Sequence, residues 1–502
     1  MLGGGSNVDN LTLEGMTLRR LTGRLIPLLF LMYVVSIIDR TNVSFAALHM
    51  NRDLGFSAAM YGLGAGIFFL GYALFEVPSN LVLVRIGARR WIARIAITWG
   101  LIASAMMFVR SAESFYVLRF LLGVAEAGFF PGIIYYLSHW FPERHRARAI
   151  SRFMLGVPVA VVVSGPLSGA ILALDGTLGI AGWQWLFLLE GIPAVMLGAV
   201  ALRYLTDRPE DARWLPPDEC AWLRVELERE HQGGVARVER RLMRAMTVPA
   251  LWYLAVPYIV VGIASYAAIF WAPTLVRESL GLEPMQIGLV IGAIGVVSGL
   301  AMVWLGASSD HRNERVAHAS VAMAVSASGF AIAALRPHPV IAVIGLAAAL
   351  AGSIAFLPVF WCLPTRFLRG TAAAGGIALL NAVGSIGGFV GPGILGVVRD
   401  AMGTFSGGLA AVSAMTFGGA IVMWMLRRVS ILSQELDFDG SPGNTVSPVA
   451  RRRGRIGDRF TPAADHGLPD DAARLRGGDV RYRGYPLSRA EDTGAAGGRA
   501  GR

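Results

Sequence analysis

The chain has 502 residues, of which 54% are hydrophobic and 16% charged, and its mean hydropathy is +0.55. A soluble globular chain is nearer one-quarter charged, so this composition excludes an ordinary soluble domain and points to a membrane protein. The formal charge of +11 is arginine in loops and the C-terminal tail, with no zinc-finger or RNA-binding motif beside it. It is the excess that retains loops on the cytoplasmic side, and no nucleic-acid partner is expected. Cys220 and Cys362 are lone and far apart, without the spacing of a disulfide framework or metal site.

Apolar runs of about 20 residues, the length that crosses ~30 Å of hydrocarbon, are predicted at 25–46, 60–83, 91–109, 114–138, 150–174 and 183–205, then at 249–275, 285–306, 317–335, 339–364, 372–397 and 405–426. The fold class is therefore all-α and polytopic, with twelve transmembrane helices in two six-helix bundles, 25–205 and 249–427. A tail (1–24), a charged central loop (206–248) and a disordered tail (428–502) complete the chain. Arg19, Arg20 and Arg24 precede the first run, but no small-residue cleavage site follows it, so that helix is expected to be retained. The final segment has Arg451 to Arg453, glycine-rich pieces and no apolar period, and so cannot bury a core. It is expected to be solvated, with contact to anionic lipid as an alternative.

Orientation follows from the short loops, because cytoplasmic loops keep Lys and Arg. Arg85, Arg89, Arg90 and Arg94 follow the second run, and Arg144, Arg146, Arg148 and Arg152 the fourth. Arg237, Arg240, Arg241 and Arg244 precede the seventh, Arg312 and Arg315 follow the eighth, and Arg366 and Arg369 the tenth. Loops between these carry single cations such as Arg52, Arg110, Arg277, Arg336 and Arg399. Both termini are expected in the cytoplasm and the chain in a bacterial inner membrane. The turns Asn80-Leu-Val-Leu-Val-Arg85-Ile-Gly87-Ala-Arg89-Arg90 and Gly306-Ala-Ser-Ser-Asp310-His-Arg312-Asn-Glu-Arg315 stand at corresponding places of the halves. Arg85, Gly87, Arg89 and Arg90, and Gly306, Asp310 and Arg315, are thus candidate gating residues of duplicated halves that rock about a central site.

Inside the spans, charge is scarce and concentrated. Asp39 and Arg40 close the apolar run that begins at Leu25; a charge near mid-bilayer costs roughly 2.5–3.5 kcal/mol on insertion scales, which marks such a pair as functional. Arg119, Gly123 and Glu126 in the fourth run are spaced i, i+4, i+7 and share one helical stripe. Arginine offers a planar, permanently charged fork that suits a carboxylate, so Arg40 and Arg119 are candidate anion contacts. A desolvated carboxylate gains proton affinity, so Asp39 and Glu126 are candidate proton sites. Inter-helix glue between these four residues is the competing reading. Tyr72, Trp361 and Asn381 are placed to line the same cavity, and Pro158, Pro193, Pro257, Pro358 and Pro392 to bend helices around it.

Several stretches carry a resemblance: Asp39-Arg40-Thr41-Asn42, Phe75-Glu76-Val77-Pro78-Ser79-Asn80, Arg85-Ile-Gly87-Ala-Arg89-Arg90-Trp91, Arg119-Phe-Leu-Leu-Gly123-Val-Ala-Glu126-Ala-Gly128, Gly182-Trp183-Gln184-Trp185-Leu-Phe-Leu-Leu-Glu190-Gly191 and Asp207-Arg208-Pro209-Glu210. Over about residues 20 to 427 the chain resembles the major facilitator superfamily and, within it, the anion:cation symporter family. The resemblance implies proton-coupled import of a tartrate-like hydroxy acid, sugar acid or aromatic acid. It implies coupling roles for Asp39 and Glu126, and substrate contacts for Arg40, Tyr72, Arg119, Trp361 and Asn381. Asn80 and Val84 stand where the wider superfamily has Gly and Asp, which removes an inter-half latch from the first loop, while Asp310 keeps it in the second. The expected partners are a small organic anion, protons and lipid, with no cofactor, and the expected unit is a monomer. A uniporter or exporter on the same fold is the alternative. No nucleophile, metal cluster or paired acids near an interface suggest an enzyme, and no output domain suggests a receptor.

Overall fold

The computed structural model describes residues 5–230, 249–336, 338–364 and 371–426. The arginines from Arg237 to Arg244, Arg366 and Arg369, and the tail from residue 428 lie outside these residues. Among the described residues, twelve helices are long and apolar enough to cross a membrane. They are α1 (Thr12–Asp53), α2 (Ala58–Ile86), α3 (Ala88–Phe108), α4 (Ala112–Ser138), α5 (Glu143–Leu172), α6 (Gly182–Tyr204), α7 (Leu251–Leu280), α8 (Pro284–His311), α9 (Val316–Leu335), α10 (Pro339–Trp361), α11 (Leu380–Met402) and α12 (Ser406–Met425).

Two boundaries differ from the sequence reading for one reason. Helices α1 and α5 start well before residues 25 and 150, in polar stretches that a hydropathy window passes over. Those stretches are tied to each other. Glu14 accepts from Arg144 at 3.2 Å and from His145 at 2.6 Å. A further helix, Pro217–Glu230, lies in the segment expected as a loop and joins the same network through Arg20–Glu219 at 3.2 Å and Arg144–Glu226 at 3.5 Å. This cluster sits at the end of the bundle that carries the arginine-rich turns.

The halves meet chiefly through two helix pairs, α2 with α11 and α5 with α8. These pairs are equivalents of each other when each helix is matched to the one six places on, the arrangement expected of duplicated bundles. Small residues let the backbones approach, as membrane helix interfaces require. A Cβ on Gly169 would lie 2.8 Å from the Pro284 carbonyl oxygen, and one on Gly62 would lie 3.1 Å from the Pro392 carbonyl carbon. Hydrogen bonds then stitch the end opposite the arginine-rich turns. Asp400 accepts from the Ala58 and Ala59 amides at 3.0 and 2.8 Å, Tyr61 donates to the Phe270 carbonyl at 2.8 Å, and Arg277 to the Leu48 carbonyl at 2.5 Å. Among the described residues, the hydrogen bond between the halves that lies deepest toward the arginine-rich end is the one from Asn381 to Glu76.

Helix α4, expected as one run, is broken. Ala127 leaves helical geometry (φ −55°, ψ 132°) and Gly128 takes φ 83° before the helix resumes at Phe129. The left-handed conformation at residue 128 favours glycine. The break falls one residue after Glu126 and turns the Ala127 carbonyl toward Ser79 of α2, whose hydroxyl donates to it at 2.6 Å.

Candidate functional site

Neighbours on a helix point about 100° apart, so Asp39 and Arg40 of α1 reach different partners although they are adjacent. Asp39 is buried, and its Oδ2 accepts from the Trp99 indole of α3 at 2.8 Å while Oδ1 has no partner among the described residues. Arg40 turns to α4 and donates to Glu126 Oε1. Ser36, one turn before Arg40 on α1, donates to the same oxygen at 2.8 Å. Glu126 is 1% exposed, so this ion pair stands in a medium where neither charge is tolerated without the other. The Arg40 guanidinium also lies 5.3 Å from the ring centres of Phe68 and of Tyr72 on α2.

Arg119 is placed differently. It is fully buried, and its Nε and Nη2 donate to the carbonyls of Gly64 and Ala65 on α2 at 3.3 and 3.1 Å. Its Nη1 has no hydrogen-bond partner among the described residues. Its guanidinium lies 5.0 Å from the Phe68 ring centre, so Phe68 touches both arginines. The stripe read from the sequence is real, and Gly123 within it faces α2, where a Cβ would lie 2.9 Å from the Tyr72 nitrogen. Yet Arg119 and Glu126 do not pair with each other: the acid is matched by Arg40 and the cation by backbone carbonyls.

The second half contributes aromatic and amide groups. Trp361, at the end of α10, meets Tyr258 of α7 edge to face at 5.2 Å, and Tyr258 stacks on Phe360 at 4.9 Å. Asn381 of α11 donates to Glu76 Oε1 of α2 at 2.9 Å. Glu76 follows Tyr72 by one helical turn and lies within electrostatic range of both Tyr72 and Arg40. The structure thus brings Arg40, Glu126 and Tyr72 together and links Asn381 to them through Glu76. It sets Arg119 behind Phe68 and places Trp361 against α7.

Where contacts are seen for the expected gating residues, they stay within one half. Gly87 has φ 99°, and Asp207, just past α6, accepts from the Arg89 amide at 2.8 Å, clamping the α2–α3 turn. Arg85 and Arg90 are exposed. Asp310 pairs with Arg315, which also donates to Ser309 at 2.9 Å. Asp310 therefore ties its own turn rather than bridging the halves here. Gly306 has open space where a Cβ would stand.

Sequence reasoning passed over two acids buried within the described spans, each quoted only as part of a longer stretch. Glu76 is one. The other is Glu190 of α6, 3% exposed, whose Oε1 accepts from Ser168 at 2.8 Å and which also lies beside the Asn42 side chain of α1. The available signal was a single acid within an apolar run, the same signal that singled out Glu126.

The family model described as Major Facilitator Superfamily matches residues 29–392. An Agrobacterium vitis protein named "Putative tartrate transporter" is 44% identical over 443 residues, 88% of this chain and 100% of its own length. A quinolone resistance transporter of Acinetobacter baumannii is 39% identical over 409 residues, 82% of this chain and 94% of its own. The crystal structure of a bacterial homolog of the human lysosomal transporter Spinster, in an inward-facing and occupied conformation, superposes with a TM-score of 0.66 at 18% identity. That match covers 80% of this chain and 96% of the other.

Proposed function

Since the chain belongs to the major facilitator superfamily and is a multi-pass membrane transporter, we propose that it couples proton entry to import of a small organic carboxylate, a tartrate-like hydroxy acid or sugar acid. The observation that carries this reading is the buried Arg40–Glu126 pair. Protonating Glu126 removes the charge that holds the Arg40 fork, and a substrate carboxylate then takes the vacated guanidinium. Proton and anion are bound together because either alone leaves an uncompensated charge in a desolvated site. Asp39, bound to Trp99 rather than to Arg40, supplies a second proton site on α1, the helix that carries Arg40. The identity of the tartrate relative supports the substrate class.

The arginine-rich turns support a cytoplasmic side for the Pro217–Glu230 helix and both termini. On that orientation, the hydrogen bonds that stitch the halves at the opposite end support an inward-facing reading of this state. No cofactor beyond the proton enters this scheme, and one chain carries the whole site. The second reading, an exporter or uniporter of organic anions including aromatic acids, draws on the likeness to the quinolone resistance transporter.

Reconstituted vesicles separate the two. Wild-type protein is expected to accumulate labelled tartrate when an inward proton gradient is imposed. Glu126→Gln is expected to retain counterflow and lose accumulation. Full gradient-driven accumulation in Glu126→Gln, Asp39→Asn and the double variant would leave proton coupling without a site.

A further inference from the structure

Glu76 is an acid at the place where an anion is to be bound, and charge alone gives it no reason to be there. The residue is 9% exposed, it follows Tyr72 by one turn of α2, and its carboxylate accepts from the Asn381 amide of the other half at 2.9 Å. A carboxylate only accepts hydrogen bonds, so one of the two Nδ2 protons of Asn381 is spent on it and the amide plane is turned with Nδ2 toward Glu76. That is the sole side-chain hydrogen bond of Asn381 among the described residues. The amide is half-buried, so its Oδ1 is left as an acceptor next to the remaining oxygen of Glu76.

Two acceptors side by side are unsuited to a second carboxylate and suited to O–H donors. We propose that Glu76 is a specificity-determining residue: it orients Asn381, and together they read hydroxyl groups on a carboxylate held by Arg40. The inference rests on the anion-import reading and adds the substrate's chemistry, a hydroxylated acid rather than its deoxy counterpart. A site built to bond a hydroxyl rejects an analogue lacking it, because the site's polar groups are then left unpaired. Glu76 lies within electrostatic range of Arg40 and is not its ion-pair partner, which is Glu126. Neutralising Glu76 therefore leaves the carboxylate contact in place.

The test is the ratio of tartrate to succinate uptake in proteoliposomes, two four-carbon diacids that differ in their hydroxyls. Wild-type protein is expected to favour tartrate at least tenfold. Glu76→Gln, which replaces an acceptor by a donor at nearly constant volume, is expected to bring the ratio within threefold of one while succinate uptake holds. Glu76→Asp is expected to restore part of the preference. If the wild type takes up neither acid, the import reading itself fails and this inference falls with it. Uptake of both acids without preference in the wild type, or an unchanged ratio in Glu76→Gln, overturns the specificity role alone. So does a loss of gradient-driven accumulation with an unchanged ratio in counterflow, which would make Glu76 a proton site instead. Failure of both variants to reach the membrane would make it a packing residue and overturns the proposal equally.

Discussion

Asp400 should set how readily the transporter opens at the end opposite its arginine-rich turns. Its two carboxylate oxygens accept from the Ala58 and Ala59 amides at 3.0 and 2.8 Å, so a residue of α11 caps α2 across the junction between the halves. The first amides of a helix have no partner within it and attract negative charge. Asp400 is exposed, so solvent discounts the charge contribution, and the cap is worth about 1–1.5 kcal/mol, within the range for N-terminal capping. Asp400→Asn removes the charge and one of the two acceptors; a loss of ~1 kcal/mol shifts the balance between states about fivefold. A single cysteine at Ala59, labelled from outside by a membrane-impermeant maleimide, reads that balance directly. The labelling rate should rise about fivefold in Asp400→Asn, and Asp400→Ala should exceed it. Equal rates in wild type and both variants would refute the argument that this cap holds the halves together.

Arg119→Lys should reduce uptake at least tenfold without unfolding the protein. Its fork reaches two carbonyls with separate nitrogens, a spread that the compact ammonium of lysine does not reproduce, and a buried hydrogen bond to a charged group is worth about 1.5–3 kcal/mol. Wild-type uptake rates, measured beside a melting curve of the purified variant, would show the fork to be dispensable. Gly123→Ala should lower the melting temperature and Gly123→Leu should prevent membrane insertion. The added carbon would lie 2.9 Å from the Tyr72 nitrogen, and overpacking of this kind costs about 1–3 kcal/mol or more. A Gly123→Leu variant as stable as wild type would mean that α4 and α2 are free to separate.

Much of the fold could be read from the chain because each span obeys a local rule. Twenty apolar residues between polar turns must form a helix in lipid, since no other open backbone arrangement satisfies its own hydrogen bonds there. The residues of the site were legible for a related reason. A charge within such a span is costly enough to stand out one residue at a time, as Asp39, Arg40, Arg119 and Glu126 do. Boundaries were lost where helices continue into polar sequence, at the starts of α1 and α5, because hydropathy records only the membrane-embedded part. The break after Glu126 was missed because Ala127 and Gly128 sit in an apolar run whose composition continues unchanged across it.

Pairing was beyond the sequence. That Asp39 meets Trp99 while Arg40 meets Glu126 depends on how α1 is rotated against α3 and α4, and rotation is set by packing on every side at once. Which chemical groups enter the membrane, and on which helix each one sits, followed from the chain alone, because burial cost is a property of the residue. It took the packed helices to reveal that Arg119 commits its fork to backbone carbonyls and that Glu76 joins Asn381 across the halves. Those contacts link residues 54 to 305 positions apart in the chain, and no local pattern encodes a distance that arises only when helices pack.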